Sequence, residues 1–370
     1  MGLTMVQKCD NFLFLLQPCS FVWLFPDQPE MNLKHPEKPR VGITLGDING
    51  IGPEVIIKAL SDNRILSMIT PVIYGSPRVL SFYKKSLQLE DFQYGPPKGP
   101  GQYHPKTVTV INCWDDPYEV KPGVSEKDSG RLAIAALKKS VEDINAGLID
   151  AIVTGPIDKN SVHGADFPFH GHTEYFTKIF QATESLMMMV SEELRVGLVT
   201  EHVPFKEIQK LITHERVELK IRLMEYSLKK DFEISKPRIA VLGLNPHAGD
   251  GGLLGDEEEN ILKPVINDLR AKGKLVFGPF PADGFFGNGQ HRQYDGIIAM
   301  YHDQGLAPFK SLAFETGVNF TAGLPIIRTS PDHGTAFNIA GKGQANDQSM
   351  RQAIYLAADL VQHRWSANPQ

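Results

Sequence analysis

Apolar residues in this chain recur with two periods that take turns along its length. In residues 39–46, PRVGITLG, the positions Val41, Ile43 and Leu45 alternate as one face of a strand does, and further short apolar runs follow at 70–75, 107–112 and 148–159. Between them the spacing turns helical. EVIIKAL at 54–60 opens a helix in which Pro53 suits the first turn, where its missing N–H costs nothing, and Glu54 complements the helix dipole. Residues 129–147 place Leu137, Val141 and Ile144 on one helical face with Gly147 set to end it, and residues 215–229 repeat the spacing with Val217, Ile221, Met224 and Leu228. A final helix is expected at 349–364. This alternation predicts an α/β fold built from βαβ units, with a mainly parallel sheet covered by helices on both faces. Two stretches break the rhythm. The Pro/Gly-rich segment 92–105 reads as an exposed loop, and residues 160–176, NSVHGADFPFHGHTEYF, read as an irregular and functional one.

Three apolar runs in the second half stop at a histidine: RVGLVTEH at His202, RIAVLGLNPH at His247 and GIIAMYH at His302. Ligands of open α/β sheets gather beyond the carboxyl ends of the strands, so three imidazoles at equivalent positions make a candidate divalent-metal site. Taken singly, each is as well explained as a strand-end polar residue. Asp303 adjoins His302 and Asp283 lies in the PADG turn, where either could orient a ligand or move a proton, although an aspartate in a turn is often only turn chemistry. Further on, Lys310, Asn319 and Arg328 interrupt apolar segments. Such a set suits a phosphate or carboxylate, and surface ion pairs are the competing reading. The loop GDINGIGPE at 46–54 lacks the dinucleotide-binding glycine fingerprint and reads first as a tight turn, second as a ligand loop.

Composition narrows these readings. At 370 residues the chain is long enough for about two domains. A net charge of -5 gives no support for nucleic-acid binding, and three cysteines supply neither a disulfide framework nor a thiolate metal site, which favours a reducing, cytoplasmic setting. The apolar block at 11–25 resembles the core of a secretory signal. Pro18 interrupts it, it is too short to span a bilayer, and no small-residue cleavage site follows. With a second methionine at Met31, residues 1–30 are expected to be a non-native or disordered extension from an upstream start, and no membrane partner is expected.

Several motifs occur together and in order: GDINGIGPE, TGPIDK, GHTE, EELRVGLVTEHVP, GLNPHAGDGG, PADG, YHDQGLAPFK, GVNFTAGLPIIRTSPDHGTAF and IAGKG. On them the chain resembles the 4-hydroxythreonine-4-phosphate dehydrogenases of pyridoxal phosphate biosynthesis over residues 32–364. The resemblance implies an enzyme that oxidises 4-phosphooxy-L-threonine at its secondary alcohol with NAD or NADP, the β-keto acid then losing CO2 to give 3-amino-2-oxopropyl phosphate. It also implies the architecture of isocitrate and isopropylmalate dehydrogenases: two α/β/α domains flanking a cleft, here 32–160 with 315–370 on the cofactor side and 161–314 on the metal side. The active site would be shared across a homodimer. His202, His247 and His302 would hold Zn, Mg or Co, some from the partner. His172, Thr173, Lys310, Asn319 and Arg328 would bind substrate, and Asp303, Asp283 or Lys310 would act as base. Asp332, His333, Gly334, Thr335, Asn338 and Gly341 would hold the cofactor. The motifs depart from the family pattern at the residue after Asp47 and at LAPFK, neither of which removes a functional side chain. A dehydrogenase of D-threonate or D-erythronate 4-phosphate fits the same motifs. A three-histidine metallohydrolase would leave the DHGTAF loop without a role, and a non-catalytic binding protein would leave the whole constellation unexplained.

Overall fold

The computed structural model describes residues 36–164 and 167–367. The expected extension at 1–30 lies outside them. Twelve strands are present among the described residues: β1 Arg40–Thr44, β2 Thr70–Gly75, β3 Tyr94–Gly95, β4 Val108–Asn112, β5 Ala151–Thr154, β6 Leu186–Val190, β7 Arg195–Leu198, β8 Ile239–Leu242, β9 Val276–Phe280, β10 Gly296–Ala299, β11 Val318–Ala322 and β12 Ile327–Pro331. They form one sheet in the order β3-β4-β2-β1-β5-β12-β11-β6-β7-β10-β8-β9. Pairing is parallel except at a central seam, where β11 runs antiparallel to both β12 and β6, and β6 antiparallel to β7. A helical crossover returns the chain to the same edge for a parallel partner, whereas the short link from β11 to β12 suffices for an antiparallel one. The sequence therefore enters the sheet from its two flanks and closes it in the middle.

Alternation along each strand sorts the core. Val41, Ile43, Ile73, Ala151, Val153, Met188, Val241, Ile298, Phe320 and Ile327 face one side and belong to one apolar layer that runs unbroken across the sheet beneath helices Gly52–Leu60, His214–Lys230 and Gln348–Ala367. On the opposite face the apolar residues form two separate clusters. One gathers Val72, Tyr74, Ile152 and Phe176, the other Met187, Met189, Leu198, Ala299 and Phe309. Between them, on the same face, stand the polar residues Thr154, Asn319, Thr321 and Arg328, because a strand alternates its side chains with period two.

Helix 129–147 is observed as Lys127–Asn145 and helix 215–229 as His214–Lys230. The segment 160–176 differs from the irregular loop its Gly, Pro and His content predicts. Asp158 accepts a hydrogen bond from the Asn160 N–H and caps a short helix, Lys159–Val162, and a second helix, His172–Ile179, begins just after Gly171. The signal was aromatic spacing: His172, Phe176 and Phe180 recur every four residues and stack, with ring centroids 6.5 and 6.1 Å apart. The segment 92–105 is loop except for β3. No helix among the described residues is long and apolar enough to cross a membrane.

Phe320 is fully buried on β11, where its ring meets Phe232 edge-on at 5.9 Å. Phe320→Ala removes packing at the strand that joins the two flanks of the sheet, and a loss of ~3–5 kcal/mol is expected in a denaturant titration.

Candidate active site

Strands β7, β8 and β10 are mutually parallel, so their carboxyl ends leave the sheet on one edge, and the three expected histidines follow them. Two of the three come together: the rings of His202 and His302 lie 5.5 Å apart, centroid to centroid. Asp303 meets His302 at Nδ1, 2.7 Å away, which fixes the ring and leaves Nε2 for a ligand. Partial burial, with Lys159, His302 and His170 nearby, holds His202 below the usual imidazole pKa and keeps it in the neutral, coordinating form. His247 does not join them. Among the described residues no cluster of three or more His, Cys, Asp or Glu side chains is arranged to hold a metal. The donor set fits a divalent ion as half of a site, two adjacent imidazoles of which His202 is held neutral.

His247 instead sits exposed on a run of left-handed backbone, with φ of 54° at His247, 51° at Ala248 and 44° at Asp250. Side chains with a Cβ disfavour this region, and such strain persists only where neighbours hold it. The anchor is Glu258, fully buried, whose carboxylate accepts from the Asn245 N–H at 2.7 Å and from Asn245 Nδ2 at 3.0 Å. Asp283 lies exposed in the first turn of helix Ala282–Gly287.

Arg328 is placed otherwise than a surface ion-pair reading would have it. It is 2% exposed, and its guanidinium donates to Thr321 Oγ1 at 3.1 Å and to Thr154 Oγ1 at 2.7 Å. It stands 5.9 Å over the Phe176 ring, its Nε is buried without an acceptor, and burial lowers its pKa to about 9. No carboxylate lies at ion-pair distance among the described residues. His172 also stacks on Phe176, and burial first and Arg328 second push it well below the usual imidazole pKa. Asn319 is half-buried on the same sheet face with its Oδ1 unpartnered. Thr173 lines a cavity of about 730 Å³ together with Thr177, Glu201, His202 and Lys220.

Lys310, on helix His302–Ala313, does pair with a carboxylate: its Nζ is 3.1 Å from Asp332, which burial raises in pKa against the pull of Lys310. Asp332 opens the expected cofactor loop. His333 is half-buried with Nε2 unpartnered, an orphan that fits a bound ligand, while Gly334 and Asn338 are exposed. The loop is clamped from behind. The Ile51 N–H donates to the Thr335 carbonyl at 2.9 Å, and a Cβ on Gly50 would come within 2.9 Å of that oxygen. Lys58 bridges buried Glu54 to the Gly343 and Ala345 carbonyls, and Gly341, at φ 73°, packs against Pro122. GDINGIGPE thus keeps its reading as a tight turn: Asp47, buried, accepts from the Asn49 N–H and the Ser129 and Ser161 hydroxyls, and the turn's outer side carries the loop. Thr154, Thr321 and Lys58 were missed in the sequence, and Glu54 was read only as complementing its helix dipole, because a threonine in a strand or an i,i+4 Glu–Lys pair carries no chemical signal of its own.

Comparison with known proteins narrows the class. Residues 67–357 match the family model described as pyridoxal phosphate biosynthetic protein PdxA. A 4-hydroxythreonine-4-phosphate dehydrogenase of Bacteroides thetaiotaomicron is 49% identical over 88% of this chain and 90% of its own. A D-threonate 4-phosphate dehydrogenase of Pectobacterium atrosepticum is 38% identical over 87% of this chain and 99% of its own. The crystal structure of a 4-hydroxythreonine-4-phosphate dehydrogenase from Klebsiella pneumoniae superimposes with a TM-score of 0.77 at 36% identity, covering 89% of this chain and all of that one. Sheet, site and relatives together make this an oxidoreductase of the α/β dehydrogenase class. Within that class, the chain belongs to the PdxA family of pyridoxal phosphate biosynthesis.

A neutral His172 in the fold has a consequence for stability. Its contribution is complete above the unfolded imidazole pKa of about 6.5 and is lost as pH falls from there toward the lower folded value. His172→Asn should flatten the loss of Tm on acidification below about pH 6.5; an unchanged slope in calorimetry would contradict the neutral assignment.

Proposed function

We propose that this dehydrogenase oxidises the secondary alcohol of 4-phosphooxy-L-threonine with NAD and releases the adjacent carboxylate as CO2, giving 3-amino-2-oxopropyl phosphate for pyridoxine 5'-phosphate synthesis in the cytoplasm. The observation that carries this is the buried Arg328 guanidinium with no carboxylate at ion-pair distance among the described residues, beside a neutral His172. An unpaired buried cation costs several kcal/mol unless an anion reaches it. A phosphorylated hydroxy acid brings two.

In this reading Arg328, Asn319 and Lys310 grip the substrate's anionic ends, and His172 and Thr173 contact it from the helix they begin. Binding energy spent away from the reacting carbon fixes the hydroxyl in place. His202 and His302 with His247 from a second copy of the chain would hold the divalent ion in a homodimer, and the exposed, strained position of His247 supports that division. Bound there, the ion would lower the pKa of the hydroxyl and stabilise negative charge on the oxygen as CO2 leaves. Asp332, His333, Gly334, Thr335, Asn338 and Gly341 would seat the cofactor, which accepts the hydride. The proton is left to Lys310, Asp303 or Asp283. Lys310 is favoured, because its ion pair with Asp332 brings it from helix His302–Ala313 to the start of the cofactor loop, whereas Asp303 is engaged with His302. The two flanks of the sheet, 32–160 with 315–370 and 161–314, would act as the two domains around the polar gap.

The relative that acts on D-threonate 4-phosphate keeps a second substrate in view, one without the amino group. The test follows NADH formation with each phosphorylated acid, with and without chelator. Turnover is expected with 4-phosphooxy-L-threonine and its loss on chelation; a marked preference for D-threonate 4-phosphate would move the assignment. His247→Ala should abolish turnover while leaving the unfolding free energy within about 1 kcal/mol of wild type, as for an exposed residue, and full activity of that variant after metal depletion would remove the metal site.

A further inference from the structure

The hydrogen-bond partners of Arg328 are unusual for so deep a cation. Several other buried or half-buried bases meet a carboxylate: Lys220 pairs with Glu184, Arg351 with Asp62 and Asp347, and Arg364 with Asp231. Half-buried Arg195, over the Phe232 ring with its Nε unpartnered, is an exception, but it is less buried than Arg328. Arg328, more buried than Arg351 or Arg364, meets two hydroxyls. The two come from far apart in sequence. Thr154 is the last residue of β5 and Thr321 lies on β11, so they flank β12 from both sides. Each fixes one terminal nitrogen of the fork, and Phe176 supports its face. A hydroxyl orients a guanidinium as a carboxylate does, but it leaves the charge unneutralised. Both threonines point into the polar gap that interrupts the apolar face, and the buried Nε has no acceptor at all.

We propose that Thr154 and Thr321 are positioning residues: two neutral acceptors that lock the Arg328 fork while reserving its full charge for an anionic group of the substrate. The inference rests on Arg328 being the anion receptor. It adds that the receptor's strength comes from what its neighbours lack, so that the fold carries an unpaired charge in the free protein and recovers the loss only on binding. The lowered pKa of Arg328 has the same origin, desolvation with no carboxylate to oppose it.

The prediction separates stability from affinity in a way a purely structural role does not. Thr154→Asp gives Arg328 a buried counter-ion. It should raise the Tm of the ligand-free protein while weakening inorganic phosphate, measured by calorimetry, and raising KM for the phosphorylated substrate by roughly tenfold or more, with a smaller change in kcat. Thr154→Val, which removes the acceptor at constant shape, should weaken phosphate without raising Tm, and Thr154→Ser should keep most of the affinity. Should Thr154→Asp bind phosphate as wild type does, or Thr154→Val keep a wild-type KM, the positioning role is overturned. Arg328→Met is the control on the underlying reading: if wild type and Arg328→Met bind phosphate equally, Arg328 is no anion receptor, and the proposal falls with it.

Discussion

The antiparallel seam at β11 is the constraint from which the rest of the molecule follows. One strand closes a sheet whose two flanks are otherwise parallel, and its two faces meet opposite needs. Val318, Phe320 and Ala322 continue the unbroken apolar layer behind the sheet. Asn319 and Thr321, one residue out of phase, face the gap where the apolar cover is divided in two. A dry, continuous backing holds the flanks in one body, and the interrupted front gathers the Arg328, Thr154 and Thr321 cluster with the unpartnered Oδ1 of Asn319. Had both faces been apolar the gap would close; had both been polar the sheet would lack a core.

Charge is distributed over this gap unevenly. Lys310 has a carboxylate in Asp332, and His302 has one in Asp303, so both are held in defined positions. Arg328 and His172 share an aromatic ring and no carboxylate, so one remains an uncompensated cation and the other is kept neutral. Arg328 is thus the uncompensated charge, in surroundings of low dielectric where charge acts over a longer range than in water. The loop that follows β12 is set by a third device, backbone clamps from GDINGIGPE and the Glu54–Lys58 pair, which hold its carbonyls and leave Gly334 and Asn338 exposed.

Much of this was legible in the chain. Strand and helix periods are local, with spacings of two and about 3.6 residues, and the elements they predicted at 70–75, 129–147 and 215–229 stand in the structure within a few residues. The one segment misread as irregular, 160–176, was obscured by its glycine, proline and histidine content, which hid a four-residue aromatic spacing. The strand-end positions of His202, His247 and His302 were likewise visible, because a strand and the residue that follows it are neighbours in sequence.

What the tertiary structure alone decided is who meets whom. It joined His202 to His302 and left His247 apart on strained backbone, a distinction no spacing encodes. It set Lys310 against Asp332 and turned Arg328 inward, onto a threonine 174 residues away. The physical reason is that sequence pattern reports which face of its own element a side chain takes, whereas its electrostatic partner is fixed by strand order across the sheet. The sequence by itself determined the elements, the layered architecture and the kinds of chemical group available; the order of the strands decided which charges are paired and which one, Arg328, has no carboxylate beside it.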